Sequence, residues 1–129
     1  MYEKKNPMEY TNCPIRITLD IIAGSWKLWL IQEINKGIVR PSDIQRSIGI
    51  ASKRVLNKQL KELEEVGIIT KTVYPVLPLK VEYRLTDAGK GLLPIMKAME
   101  EWGENYKETF LKLMEKNGLS EKRGVSDNG

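Results

Sequence analysis

Lys53, Arg54, Asn57, Lys58 and Lys61 recur at intervals of three, four and seven, the spacing that places side chains on one face of an α-helix. Their shared chemistry is donation: four cations and an amide offer N–H groups and positive charge to a polyanion. Arg54 carries the fork that can pair bidentately with guanine, and Asn57 the amide that can pair with adenine. Lys53, Lys58 and Lys61 suit phosphate oxygens. Ser42, Ser52 and Lys80 complete the candidate DNA-binding set. Catalytic chemistry has little to work with. Histidine is absent, Cys13 is the single cysteine, and no glycine-rich phosphate loop is present. Thiol-protease and zinc constellations therefore lack members, and neither an enzyme nor a bound metal or cofactor is expected. Cys13 is the one residue with redox potential. It lies beside Pro14 at an expected helix start, where the helix dipole favours an anion, with Arg16 one turn along.

The basic face needs a helix anchored on its other side. Leu56, Leu60 and Leu63 supply that apolar face, and Ser52 is the expected N-cap. Gly67 is expected to end this helix in a left-handed conformation. The preceding helix opens at Arg40-Pro41-Ser42, with Ser42 and Gln45 spaced as a capping box, Ile44 and Ile48 inward, and Gly49 at the turn. Upstream, a helix from Cys13-Pro14 carries Ile15, Leu19 and Ile22 inward and stops at Gly24. Another runs from about Ser25 to Lys36, where Trp26, Trp29, Leu30, Ile31 and Ile34 form a wide apolar face assigned to core packing.

Beyond Gly67 the period changes from helical to alternating. Ile68 to Tyr74 and Lys80 to Leu85 read as paired strands, joined by Pro75-Val76-Leu77-Pro78-Leu79, which cannot form regular ladder. Thr86-Asp87 caps a last helical region that Pro94 should kink or split. Ile95, Met99, Trp102, Tyr106, Phe110 and Leu113 then form a stripe of about five turns. So long a stripe exceeds what a domain of this size can cover, and a second copy is the simplest partner. Ile15, Leu19, Met99, Trp102, Tyr106 and Phe110 are the expected dimer interface.

The 129 residues suffice for one domain, with 41% apolar and 29% charged residues and a net charge of +4. Seven bases stand against Asp43 between Lys36 and Lys61, whereas five acids stand against Lys107 and Lys112 between Glu100 and Glu115. That asymmetry would orient the molecule on a polyanion, although both segments also fit ordinary solvated faces. No transmembrane run and no secretory h-region is present, and one cysteine suits a reducing cytoplasm. The expected organisation is a flexible arm over residues 1–12, a domain over 13–115 and a disordered tail over 116–129. The fold class is α+β, mainly α: a winged helix-turn-helix with a two-stranded β wing and a long C-terminal dimerisation helix.

Over about residues 13 to 106 this order resembles the HxlR family of bacterial transcriptional regulators, relatives of the MarR type. The resemblance is carried by Cys13-Pro14, Leu19-Asp20-Ile21-Ile22, Gly24 and Trp26-Lys27. It continues through Leu56, Leu60-Lys61-Glu62-Leu63-Glu64, Gly67-Ile68-Ile69, Pro78, Val81-Glu82-Tyr83, Leu85-Thr86, Gly89, Leu92-Leu93-Pro94 and Trp102-Gly103. Pro41, Ser25 and Leu79 depart from the family pattern, at the surface and the wing tip. The resemblance implies a cytoplasmic homodimer, a repressor by expectation, holding two recognition helices over a pseudo-palindromic DNA operator, with half-sites roughly 34 Å apart. It also implies that Cys13 senses oxidants or electrophiles; a small buried capping residue is the alternative. Two other readings remain: a regulator whose signal is a small apolar ligand in the dimer crevice, and a winged-helix protein-interaction module.

Overall fold

The structure is a computed structural model that describes residues 13–118. The expected arm, 1–12, and residues 119–129 of the expected tail lie outside the described residues. The chain divides into two units, one ending at Leu92 and the other beginning at Leu93.

In the first unit, α1 (Pro14–Ile22), α2 (Lys27–Asn35), α3 (Pro41–Ser47) and α4 (Lys53–Glu65) precede β1 (Ile69–Tyr74), β2 (Lys80–Leu85) and the short α5 (Asp87–Gly91). Proline sets the start of α1, where Pro14 follows the N-cap Cys13. Proline also sets the start of α3, with a correction to the expected capping box. Pro41 takes the first turn, so Arg40 is the N-cap and Ser42 falls inside the helix. Gln45 instead donates from Nε2 to the Ala51 carbonyl, 3.0 Å away, across the turn into α4. That turn is closed by Ser52, whose Oγ accepts from the Val55 N–H at 3.1 Å. Gly67 ends the α4 segment with φ +78°.

The core is made by Leu30, Ile31 and Ile34 of α2, Ile44 and Ile48 around α3, Leu56, Leu60 and Leu63 of α4, and Ile68 and Ile69 entering β1. Helix α2 begins later than Ser25. The backbone N–H of Trp26 goes to Gln59 Oε1 of α4 at 2.9 Å, so Trp26 caps the helix instead of lying within it. Its buried stripe is Lys27, Leu30, Ile31 and Ile34. Trp29 lies off that stripe and is exposed, against the expected core packing. Its ring is tilted 47° to that of half-buried Trp26, with centroids 5.5 Å apart.

The strands pair antiparallel from Ile69↔Leu85 to Tyr74↔Lys80. From Thr70 to Val73, β1 lies open on both faces. The ribbon is anchored at its base by buried Tyr83, whose N–H donates to the Val39 carbonyl at 2.9 Å. Thr86 caps α5 by accepting from the Gly89 N–H at 3.0 Å and donates its hydroxyl to the Gly67 carbonyl at 2.6 Å. Gly89 lies so close to β1 that a Cβ there would stand 2.3 Å from the Ile68 carbonyl oxygen.

The second unit contains α6 (Leu93–Lys116), and the expected split at Pro94 is seen as the break between α5 and α6. Its 24 residues span about 36 Å. No helix among the described residues is long and apolar enough to cross a membrane.

Candidate nucleic-acid interface

Burial of Leu56, Leu60 and Leu63 fixes the roll of α4. Lys53, Arg54, Asn57, Lys58 and Lys61 consequently emerge on its solvent side. Among the described residues, no carboxylate pairs with any of these four cations. Their charge is therefore available to an external anion. The polar anchors of α4 lie elsewhere. Glu62 receives Lys27 at 2.9 Å, and Gln59 receives the Trp26 N–H. Lys27 is fully buried, at 0% exposure, with its stem in the apolar stripe of α2. Helix α3 is held to α2 in the same way. The Ser47 hydroxyl donates to Glu33, which also receives Lys36 at 3.0 Å. The Ser47 hydrogen bond lowers the Glu33 carboxyl below its ordinary range; burial works against it, and Lys36 reinforces it.

Helices α3 and α4 and the wing together enclose an open groove of about 770 Å³. From the expected set it brings together Ser42, Lys53, Asn57 and Lys80. Ser52, Arg54, Lys58 and Lys61 stand on α4 outside its lining. Arg40, Gln45 and Arg46 also line the groove, and no sequence motif had assigned them to it. The available signal was the density of bases from Lys36 to Lys61; what was missing was the start of α3 at Pro41, which orients them. Arg46 is tied to Asp43 on its own helix.

The groove's charge is tempered at the wing. Glu82, on β2, lies 2.9 Å from Arg84, 3.6 Å from Lys80 and 3.8 Å from Arg40. Lys80 also sits 4.8 Å over the Tyr74 ring. Partial desolvation raises the Glu82 carboxyl, but Lys80 and Arg84 outweigh it and the net shift is downward. One carboxylate among three cations leaves a surplus of positive charge beside the groove.

Cys13 is exposed, and its thiol makes no capping hydrogen bond. On the same helix Ile15 is 71% exposed and Leu19 is also exposed, so of the three α1 residues expected inward only Ile22 is buried. On α6, Met99, Trp102, Tyr106 and Phe110 are exposed, Trp102 at 67%. Trp102 and Tyr106 stack with centroids 5.0 Å apart.

Comparison with known proteins gives a consistent result. A family model described as HxlR-like helix-turn-helix matches residues 21–110. The HTH-type transcriptional regulator YybR of Bacillus subtilis is 42% identical over 122 residues, covering 92% of this chain and 95% of YybR. Among solved structures, the redox regulator HypR in its reduced form superposes with a TM-score of 0.72 at 39% identity, over 77% of this chain and 98% of HypR. The reduced form of the transcriptional regulator YodB from B. subtilis superposes with a TM-score of 0.67 at 28% identity, over 73% of this chain and 92% of YodB.

Proposed function

The chain belongs to the HxlR-like helix-turn-helix family of DNA-binding transcriptional regulators, which are not enzymes, and from that premise we propose that it is a cytoplasmic, sequence-specific repressor acting as a homodimer. One observation carries the DNA-binding surface: the solvent side of α4 holds four cations without carboxylate partners among the described residues, while its other side is locked into the core. In this reading α4 enters the major groove. Arg54 and Asn57 meet base edges, and Ser42, Ser52, Lys53, Lys58, Lys61 and Lys80 meet the backbone. The exposed apolar residues Met99, Trp102, Tyr106 and Phe110 of α6, with Ile15 and Leu19 of α1, are covered by a second copy. Two recognition helices would then read half-sites roughly 34 Å apart on a pseudo-palindrome.

Cys13 gives this regulator its signal. Its exposed thiol is open to an electrophile or oxidant, and the likeness to HypR, a redox regulator, favours that role over a merely structural one. With one thiol per chain, oxidation joins two Cys13 residues of a dimer or one Cys13 to a small thiol; two electrons and two protons pass to the oxidant. The other signal, a small apolar ligand between the long helices, would act without the thiol.

A titration of reduced protein against DNA upstream of its own gene, with a scrambled duplex in parallel, tests the DNA reading. Tight binding to the first alone supports it, and equal weak binding to both opposes it in favour of a protein-interaction module. Sedimentation equilibrium of the same protein tests the dimer.

A further inference from the structure

The wing tip is built against the usual rule for a DNA-facing loop. Where phosphate contact alone would favour Lys, Arg or Gly, the segment between the strands is Pro75-Val76-Leu77-Pro78-Leu79. Leu77 is 97% exposed, and Val76 and Leu79 are exposed beside it. Three apolar side chains left in water forgo the stabilisation that burial would give, and two prolines restrict the backbone that presents them. These same residues line the 770 Å³ groove together with Lys53 and Asn57 of α4 and with Arg40, Ser42 and Lys80.

We propose that this groove is the track of one DNA strand and that Leu77 is an apolar probe of the minor groove beside the half-site. The inference rests on the DNA-binding reading above. Two features select this occupant. The groove shares Lys53 and Asn57 with the recognition helix, so a strand bordering the major groove leads directly into it. Its lining also has the two chemistries a strand presents: cations and a hydroxyl for the phosphates, and aliphatic carbon for deoxyribose faces and base-pair edges. Leucine has no donor with which to read a base, so its selectivity is mechanical. It enters where a step opens cheaply, favouring pyrimidine–purine steps such as TA or CA over a stiff A-tract with a narrow groove. The wing thus sets sequence preference outside the bases that Arg54 and Asn57 touch, without adding charge.

The test uses a duplex selected by the wild-type chain from a random pool, remade with TA, CA or A-tract steps flanking the half-site. Binding of wild type, Leu77→Ala and Lys53→Ala is measured at several salt concentrations. The wild type should prefer TA and CA flanks by about ten-fold, close to what burying two of the four aliphatic carbons of the leucine side chain contributes. Leu77→Ala should lose that preference and keep the wild-type salt slope, because no ion is released by a leucine. Lys53→Ala should keep the preference and flatten the slope. As Leu77 projects into solvent, its truncation leaves the fold intact, which thermal unfolding verifies. Specific binding by the wild type with the same flank preference in Leu77→Ala overturns the wedge and leaves the DNA reading standing. Selection of no duplex by the wild type overturns both.

Discussion

Replacing Lys27 by Met removes one charge from the contact that holds the recognition helix to α2 while keeping most of the side chain's volume. In the wild type the Lys27 ammonium is wholly buried, 2.9 Å from a Glu62 carboxylate that is itself 16% exposed. Breaking a fully buried ion pair by removing one partner costs about 3–5 kcal/mol, because the remaining charge is left uncompensated. Glu62 retains contact with water, so the cost for Lys27→Met should be nearer about 2 kcal/mol. Adding Glu62→Leu removes the carboxylate that faces Lys27 in the wild type, and the double variant should return to within about 1 kcal/mol of wild type. Urea unfolding followed by circular dichroism gives all corners of the cycle, provided the slopes agree. If the pair serves to fix the pose of α4, the double variant recovers stability yet binds the wild-type DNA site several-fold more weakly. A Lys27→Met protein with wild-type stability, or a double variant that binds DNA as well as wild type, would refute this reasoning.

Other predictions follow from the same geometry. Arg54→Ala should cost about 1–3 kcal/mol on the cognate site and relax specificity at one base position; an equal loss on random DNA would reassign Arg54 to phosphate. Diamide should change the DNA affinity of wild type and leave Cys13→Ser unaffected in a gel-shift titration, whereas an equal response of both proteins would remove Cys13 from sensing. Glu33 has a folded pKa below its ordinary value of 4.5, so it binds fewer protons in the folded state. Its stabilising contribution is present above 4.5 and is lost as the pH falls through the lowered value. Glu33→Gln should therefore flatten the acid limb of stability against pH, measured by urea midpoints, and an unchanged limb would count against the Ser47–Glu33 contact.

Much of this fold is legible in the sequence because it depends on local signals. Pro14, Ser52, Gly67, Thr86 and Pro94 each act within a few residues of their own position, and the period change after Gly67 marks the wing. The face of α4 is equally readable, since three leucines at helical spacing leave the cations only one place to go. What the sequence hides depends on contacts between distant positions. Lys27 occupies an apolar-stripe position, and nothing nearby reveals that Glu62 will meet it. Gln59 reads as one more polar surface residue until Trp26 is seen to need its oxygen. The Ser42 capping box is a local rule overruled by a stronger one, the fit of Pro41 to the first helical turn. Arg40 and Arg46 join the groove because α3 starts where it does and because β2 brings Glu82 and Lys80 alongside. The exposure of Ile15 and Leu19 marks apolar residues that the first unit leaves in water.

The central claim is that the exposed cations of α4 bind operator DNA. The most direct test is the salt dependence of specific binding by wild type and by a variant carrying Lys53→Gln, Lys58→Gln and Lys61→Gln together. These side chains are exposed and have no carboxylate partners among the described residues, so the variant should unfold like wild type. A steep negative slope of log affinity against log salt is predicted for wild type, flattened in the variant by about 0.9 for each phosphate that a lysine no longer neutralises. Identical slopes for the two proteins would contradict the claim and place the DNA-binding surface elsewhere on the chain.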